Sequence, residues 1–368
     1  MFRYLIIVKP LGLMYGSAGG FLSPENLVGR SRSKFPPEAA TLSGLIFSAS
    51  KAENEGKTEE VEAVFDGKPT TVRDRIQEDL RDNLHVGGPF WAKCENPFDF
   101  YVPIPWLYQI GDRIDKQGRE SKQCNYWKIR EGEWQLNQEK DEVSPEYTWQ
   151  PVTTWNLDPA KILESAEKAP WQFVPLLHPH LKDKERNVKK EDGLFLEYAV
   201  QLREDCCLVY LSTVAVETGW YRFGGENHLV EIESKELYEN DPIIDLLKQK
   251  IDRAFALITP GVWGSNRLSY RYSQHPDFPK PSHLLTDKPI PYRYRTGGNT
   301  YKFGGQLGRG RYAVPPGSVY LLDRPLEKEY QTWWDWKDEW FPKEGFTLNH
   351  LGCGLALPLN IEGVSVNV

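Results

Sequence analysis

The 368-residue sequence has few cysteines, two methionines and no long hydrophobic run. Its five cysteines are scattered and form no CxxC motif, which predicts reduced thiols in a cytoplasmic protein. The aliphatic run from Leu5 to Val8 ends at Lys9, and no later stretch approaches the ~18 apolar residues of a membrane-spanning helix. The same run is too short for a signal peptide and alternates like a strand. We therefore expect neither a membrane segment nor a secretory leader.

Motifs of catalysis and metal binding are also missing. The seven histidines are scattered, and the one close pair, His178 and His180, flanks a proline that prevents a helical metal-binding geometry. The sequence has no GxSxG, no P-loop and no His-Asp pair of the kind used by metal phosphohydrolases. Cys206, Cys207 and Cys353 lie in or beside apolar strand patterns, which favours packing over nucleophilic chemistry. We expect no catalytic residue, no metal and no cofactor.

The net charge of −7 argues at first against a nucleic-acid-binding protein. The charges are, however, unevenly distributed along the chain. Residues 1–51 and 253–322 together carry sixteen basic and four acidic residues, a net charge of +12, so the remaining residues carry −19. A basic surface formed by these two segments on an acidic body would suit a polyanion. Chance segregation of charges that fold apart in space is the alternative.

Strand patterns outnumber helix patterns, which predicts an α+β protein. Length alone predicts two domains of ~100–200 residues. The acidic, lysine-containing stretch 182–192 is the best linker candidate, so we place the domains at 1–185 and 186–368. Residues 194–202 and 206–217 predict a β-hairpin. A long helix is predicted from Asp241 to Pro260, with Ile244, Leu247, Ile251, Phe255 and Ile258 as its apolar stripe.

Several segments combine glycine, aromatic and basic residues in ways that suit single-stranded nucleic acid. Glycines in 304–311 would let the backbone approach a phosphodiester, and tyrosines alternate with basic residues in 292–295, 301–303 and 270–272. A strand with tyrosine inward and arginine outward would give the same pattern, and 304–311 would also suit a surface hairpin. Residues 29–34 are basic and precede a predicted helix start. The candidate nucleic-acid-binding residues are Arg30, Arg32, Lys34, Arg271, Arg293, Arg295, Tyr301, Lys302, Gly304, Gly305, Gly308, Arg309, Gly310 and Arg311.

Taken in order, several motifs resemble those of the RAMP superfamily, the ferredoxin-like subunits of CRISPR effector complexes. They resemble most the third subunit of the Cmr (type III-B) complex. The motifs are Pro10-Leu11-Gly12 to Gly16-Ser17, FLSPENLVGR at 21–30, FPPEAATLSG at 35–44, Gly224-Gly225-Glu226, Thr259-Pro260-Gly261, VPPGSVY at 314–320 and Gly352-Cys353-Gly354. The acidic, tryptophan-rich middle at 90–185 and the segment 330–340 carry little of this resemblance. The glycines of 304–311 are shifted relative to the superfamily loop, which leaves open which Gly-rich loop contacts RNA.

The resemblance implies two ferredoxin-like (βαββαβ, RNA-recognition-motif-like) halves with irregular insertions. It implies a non-catalytic scaffold in antiviral defence that holds the 5′ tag of the guide crRNA and bridges the large polymerase-like Cmr subunit to the backbone subunit. Target RNA would be met indirectly, through base pairing with the guide. The alternative within the superfamily is an endoribonuclease that processes repeat RNA, with His228 or His350 as general base. A carbohydrate-binding protein is suggested only by the tryptophan-rich segment 333–336.

Overall fold

The structure is a computed structural model. It describes residues 1–15, 35–53, 60–65, 68–114, 118, 120–137, 143–179, 187–188, 194–264, 268–296, 306–344 and 346–364. Of the predicted linker, only residues 187–188 lie within these ranges.

The chain forms four α-helices and twenty-five short strands within the described residues. The helices are α1 Ala39–Glu53, α2 Val72–Asn83, α3 Pro159–Ser165 and α4 Pro242–Lys248. The strands up to residue 136 are β1 Tyr4–Pro10, β2 Met14–Tyr15, β3 Glu60–Phe65, β4 Lys68–Thr71, β5 Val86–Lys93, β6 Tyr101–Pro103, β7 Tyr108–Ile114, β8 Glu120–Arg130 and β9 Glu133–Leu136. Those up to residue 257 are β10 Trp149–Pro151, β11 Trp171–Pro179, β12 Leu194–Leu202, β13 Cys206–Ser212, β14 Gly219–Phe223, β15 His228–Glu236 and β16 Ala254–Leu257. The last are β17 Trp263–Gly264, β18 Ser269–Tyr270, β19 Pro281–Leu285, β20 Ile290–Tyr292, β21 Arg295–Thr296, β22 Gln306–Leu307, β23 Arg311–Ala313, β24 Val319–Leu322 and β25 Ala356–Pro358.

This composition confirms the prediction of a mixed protein with few helices and many strands; every pairing between these strands is antiparallel. Among the described helices, none combines the length and apolar character needed to span a bilayer.

The largest sheet has seven strands in the order β10-β6-β5-β13-β1-β15-β14. Strand β1 lies inside it, with Tyr4 opposite both Ser212 of β13 and Glu236 of β15. The side chains of β1 are buried on both faces, because Ile6 and Val8 pack with helix α1 while the alternate residues enter the core shared with the second sheet. Burial on both faces explains why the sequence of this strand is continuously aliphatic.

The second sheet has four strands in the order β19-β24-β16-β25. Its central strand β16 is fully buried, and its residues belonged to the predicted helix from Asp241 to Pro260. That prediction was wrong in its second part: helix α4 ends at Lys248, and Phe255 pairs with Tyr320 and Pro358 as part of a strand. A strand buried on both faces gives an apolar run that periodicity alone does not separate from a buried helix.

Two further predictions concern the middle of the chain. The predicted hairpin of 194–202 with 206–217 does not form, because β12 pairs with β11 and β2 whereas β13 pairs with β1 and β5. Strands on both sides of the 185/186 division therefore share the seven-stranded sheet. Residues 94–205 form an insertion between β5 and β13, and these two strands are neighbours in that sheet.

Four strands of the first sheet have the same order as the four strands of the second. The strands of each group, β5-β13-β1-β15 and β19-β24-β16-β25, can be numbered from one to four in chain order. Strand one then lies between strands three and four, and strand two lies on the other side of strand three. Helices α1 and α2 lie between the first two strands of the first group. In the second group the corresponding connection carries the small hairpin β17–β18 instead.

The tryptophan-rich segment contributes to the core. Trp333, Trp336 and Trp340 are buried, and the ring of Trp336 contacts Phe255 edge to face at 5.3 Å between centroids. Their burial removes the one feature that suggested carbohydrate binding, which needs exposed aromatic faces. Cys206, Cys207 and Cys353 are likewise buried, as predicted.

Candidate nucleic-acid interface

The two most suggestive sequence motifs form the two arms of one β-ribbon. Strand β20 pairs with β23, placing Tyr292 opposite Arg311, and β21 pairs with β22, placing Arg295 opposite Leu307. We call residues 290–296 and 306–313 the ribbon. Tyr301, Lys302, Gly304 and Gly305 lie outside the described residues, as do Arg30, Arg32 and Lys34; of Arg295 only the backbone is described.

The inner face of the ribbon is part of the protein core. Tyr292 and Tyr294 are buried and pack with Leu348, Leu351 and Cys353. Burial raises the pKa of both phenols, so both remain protonated donors at neutral pH. The tyrosine–arginine alternation had two interpretations, and the structure supports the one in which the tyrosines point inward. The rings of Tyr292 and Tyr294 are therefore not available to stack on bases.

Arg311 also belongs to the inner face. Its guanidinium pairs with the carboxylate of Glu344, and the side chains are only 5% and 13% exposed. The hydroxyl of Tyr294 donates to the other carboxylate oxygen of Glu344 at 2.7 Å. Arg311 thus neutralises a buried carboxylate within the chain, and its role as an RNA contact stays an untested prediction that this pairing disfavours.

The outer face of the ribbon presents charge and one large aromatic ring. Arg293 and Arg309 are exposed, and Arg293 Nε donates to the carbonyl oxygen of Gly308 at 2.8 Å. Tyr312 is 60% exposed on this face, opposite Pro291. The alternation of tyrosine with basic residues in the sequence does not single out Tyr312, because only Arg311 precedes it directly. Tyr312 points outward because it alternates with the inward Arg311.

Gly308 links the two arms of the ribbon through its backbone. Its N–H donates to the carbonyl oxygen of Tyr294 at 2.8 Å, and an added Cβ would lie 3.0 Å from the same oxygen. Gly310 has open space around its Cβ position. Among the described glycines of 304–311, Gly308 therefore joins the two arms by a hydrogen bond, whereas Gly310 leaves open space beside the exposed Arg309.

The neighbouring hairpin β17–β18 extends the outer face. The N–H of Tyr312 donates to Ser269 Oγ at 3.1 Å, and Tyr270 beside it is 36% exposed. Arg271 is exposed, and its carbonyl oxygen accepts a hydrogen bond from Tyr320 at 2.6 Å, which fixes the backbone. We name Tyr270, Arg271, Arg293, Arg309 and Tyr312 the outer ribbon face.

Phe35, the first described residue after the basic segment 29–34, lies near the start of the ribbon. Phe35, which follows Lys34 directly, and Ile290, the first residue of β20, both line one cavity. The hydroxyl of Tyr210 donates to the carbonyl oxygen of Pro37 at 2.6 Å and holds the entry to α1 against the sheet. Residues 29–34 lie outside the described residues, so the idea that their basic side chains and those of the ribbon form one surface stays a prediction.

The two histidines considered as general bases are engaged within the chain. The backbone N–H of Tyr15 donates to His228 Nε2 at 3.0 Å. The ring of His350 packs on His85 at 4.1 Å between centroids, and burial lowers the pKa of both imidazoles, that of His85 to about 4. Across the described residues, no group of three or more His, Cys, Asp or Glu side chains is placed to hold a metal ion.

Comparison with known proteins identifies the class of the chain. Residues 13–360 match the family described as CRISPR-associated protein (Cas_Cmr3). Because this match covers nearly the whole sequence, the chain belongs to the Cas_Cmr3 family, which confirms the resemblance drawn from the motifs. No curated protein matches the sequence.

Solved structures similar to the chain come from related assemblies. One is a chain of the Type III-B Cmr-beta complex bound to cognate target RNA, with a TM-score of 0.45, 10% identity and 86% of each chain covered. Another belongs to the Csm3-Csm4 subcomplex of the type III-A interference complex, with a TM-score of 0.40, 11% identity, and 97% of this chain and 99% of that chain covered. A third is from the Csm1-Csm4 cassette in complex with pppApA, with a TM-score of 0.36, 9% identity and 89% of each chain covered.

Proposed function

We propose that this protein is a non-catalytic RNA-binding subunit of a type III-B CRISPR effector complex, where it holds the 5′ tag of the guide crRNA. The observation that carries the proposal is the outer ribbon face, which combines exposed arginines with exposed tyrosine rings on a chain of the Cas_Cmr3 family. Arginines neutralise phosphates and tyrosines stack on unpaired bases, the combination used for single-stranded nucleic acid.

The proposed division of labour follows the charge distribution. The basic segments 1–51 and 253–322 include the outer ribbon face and the candidate residues Arg30, Arg32 and Lys34. The remaining chain, with its net charge of −19, faces the large polymerase-like subunit, the backbone subunit or solvent. In this arrangement the protein bridges those two subunits and meets target RNA only through the guide.

The proposed architecture is two ferredoxin-like halves. The shared strand order of β5-β13-β1-β15 and β19-β24-β16-β25 supports this proposal, since both orders are those of a βαββαβ sheet. Because the first group ends with β15, we place the division after Glu236 rather than at 185/186. The residues at 94–205 are then one long insertion between its second and third strands.

The test uses the effector complex assembled with its guide. Arg309→Ala and Arg271→Ala should each speed guide release and reduce the slope of log affinity against log salt by about 0.7 for each phosphate that is no longer neutralised. Arg130→Ala is the matched control, because Arg130 is also exposed but lies in the acidic middle of the chain. Unchanged release and salt slope in both test variants would contradict the proposal. Incubation of the purified protein with repeat RNA should give no cleavage.

A further inference from the structure

The two large sheets have four edge strands in the described part of the chain, which are β10 and β14 in the first sheet and β19 and β25 in the second. An edge strand exposes backbone N–H and C=O groups that pair readily with another strand, so proteins usually protect it. Three of these edges contain a proline, which removes a donor: Pro151 in β10, Pro281 in β19 and Pro358 in β25. Strand β14 pairs with β15 from Gly219 to Phe223 without a bulge. Among the four described edges, β14 is the one that lacks a proline.

One face of β14 is held firmly against the protein. Phe223 is buried and Tyr221 is half-buried, and both pack in the cluster that contains Leu42 and Ile46 of helix α1. The hydroxyl of Tyr221 also donates to the carbonyl oxygen of Glu217 at 2.8 Å. These contacts fix β14 in an extended conformation, so a strand that pairs with its outer edge loses little entropy in ordering it.

The opposite face of β14 presents an aromatic ring and a cation to solvent. Trp220 is 73% exposed, and Arg222 is exposed as well. Leu229, opposite Arg222 on β15, is 49% exposed, as is Leu11, whose N–H donates to the carbonyl oxygen of Leu229 at 3.1 Å. We call Leu11, Trp220, Arg222 and Leu229 the β14 patch. Because tryptophan and arginine often dominate the binding energy of protein interfaces, this patch beside an open edge indicates a protein partner.

The order of Trp220, Tyr221 and Arg222 makes β14 complementary to itself. When two copies of β14 pair antiparallel about a twofold axis at Tyr221, Trp220 of each copy lies directly opposite Arg222 of the other. Directly opposite side chains have Cβ atoms ~4.5–5.5 Å apart, within the ~6 Å over which a guanidinium is attracted to an indole ring. The two arginines are then diagonal neighbours at ~7–8 Å, each beside an indole. A twofold interface forms every such contact twice.

We propose that a second copy of this chain pairs with β14, so that two seven-stranded sheets join edge to edge with Trp220 and Arg222 in reciprocal contact. The backbone of β14 accepts any extended strand, but the chain itself supplies the side chains that match Trp220 and Arg222, which favours the second copy. The inference goes beyond the proposed function and does not depend on it, because the β14 patch and the outer ribbon face share no residue. The paired strands are only five residues long, so the dimer belongs to the weak and reversible class.

The test is sedimentation velocity of the purified full chain, without guide RNA, at about 1–200 µM, a range suited to a small interface. The average mass should rise with concentration from that of the monomer towards that of the dimer. Trp220→Lys places a cation opposite Arg222 and should raise the Kd at least about 10-fold. Adding Arg222→Glu restores opposite charges in the same register, so the double variant should associate more tightly than Trp220→Lys. Leu177→Lys is the matched control, since Leu177 is 63% exposed on β11, outside this sheet, and should leave the Kd unchanged.

The substitutions change exposed side chains, so all variants should melt within about 2 °C of the unmodified chain. The inference is overturned if the unmodified chain stays monomeric at the highest concentration, or if Leu177→Lys abolishes association and Trp220→Lys does not. A double variant no tighter than Trp220→Lys would exclude the reciprocal contact. If the chain is monomeric alone and Trp220→Lys instead prevents assembly with other subunits of the effector complex, the occupant of the edge is a strand of one of those subunits, and the second copy is excluded.

Discussion

Arg311 should be required for the stability of the fold rather than for RNA binding. Its side chain is 5% exposed and pairs with Glu344, which is 13% exposed. Replacing Arg311 by Ala would leave a buried carboxylate without its cation, a loss of about 3–5 kcal/mol for pairs of this kind. Because the hydroxyl of Tyr294 still donates to Glu344, we expect the lower end of that range.

This change is large enough to measure by thermal and urea unfolding of the purified full chain. At about 2–4 °C for each kcal/mol, a loss of ~3 kcal/mol lowers the melting temperature by about 6–12 °C. Arg309→Ala is the matched control, because Arg309 is exposed on the same ribbon and surface changes are usually within ~0.5 kcal/mol. The two arginines are close in sequence but should differ clearly in their effect.

A double variant tests the cause of the destabilisation. Arg311→Met combined with Glu344→Gln removes both charges and keeps an acceptor for Tyr294, so it should recover more than half of the stability that Arg311→Ala removes. The reasoning is refuted if Arg311→Ala melts at the same temperature as Arg309→Ala, or if the double variant is no more stable than the single one. An experiment that replaces both arginines together would confuse weaker RNA binding with unfolding.

Three further predictions follow from positions described above. Gly352→Ala should lower the melting temperature, because Gly352 has φ of 64° and a Cβ there would lie 2.6 Å from a carbonyl oxygen of β5; Gly310→Ala, with open space, should not. Lowering the pH from 6.5 to 4 should reduce the free energy of unfolding by roughly 3 kcal/mol through His85, whose pKa burial lowers to about 4, because the unfolded chain then binds the proton first. Urea unfolding of His85→Gln should show a weaker dependence over that range, and an equal dependence would contradict the assignment. Tyr312→Ala should speed guide release by about 5- to 150-fold, and Tyr312→Phe should not; equal effects would exclude stacking.

The sequence predicted the single elements better than their partners. Strand β1 and the start of helix α1 after residues 29–34 were predicted, because the signals for them are local. The pairing of β13 with β1 depends on contacts more than 190 residues apart in sequence, as for Val8 with Leu208, and no turn motif encodes it. Strand β12, which precedes β13 directly in sequence, was expected to pair with it but pairs with β11 and β2 instead.

The sequence predicted which segments combine tyrosine with arginine, but not which of their side chains point outward. Alternation in 292–295 leaves two faces equally possible, and only the packing of Tyr292 against Cys353 decides which face is buried. The same packing turns Arg311 inward and Tyr312 outward. The cavity was not predicted at all, because Trp106 and Phe35 are separated by about seventy residues and no spacing relates them.

The position of β1 has a consequence for how the protein is made. This strand is synthesised first, but both of its neighbours, β13 and β15, come from residues 206–236. At ribosomal rates of about 5–20 residues per second, the last of them follows β1 by roughly 10–45 s. During that time the aliphatic segment Leu5–Val8 has neither of its partner strands to pair with. The seven-stranded sheet therefore completes the pairing of β1 only after Glu236 has been synthesised.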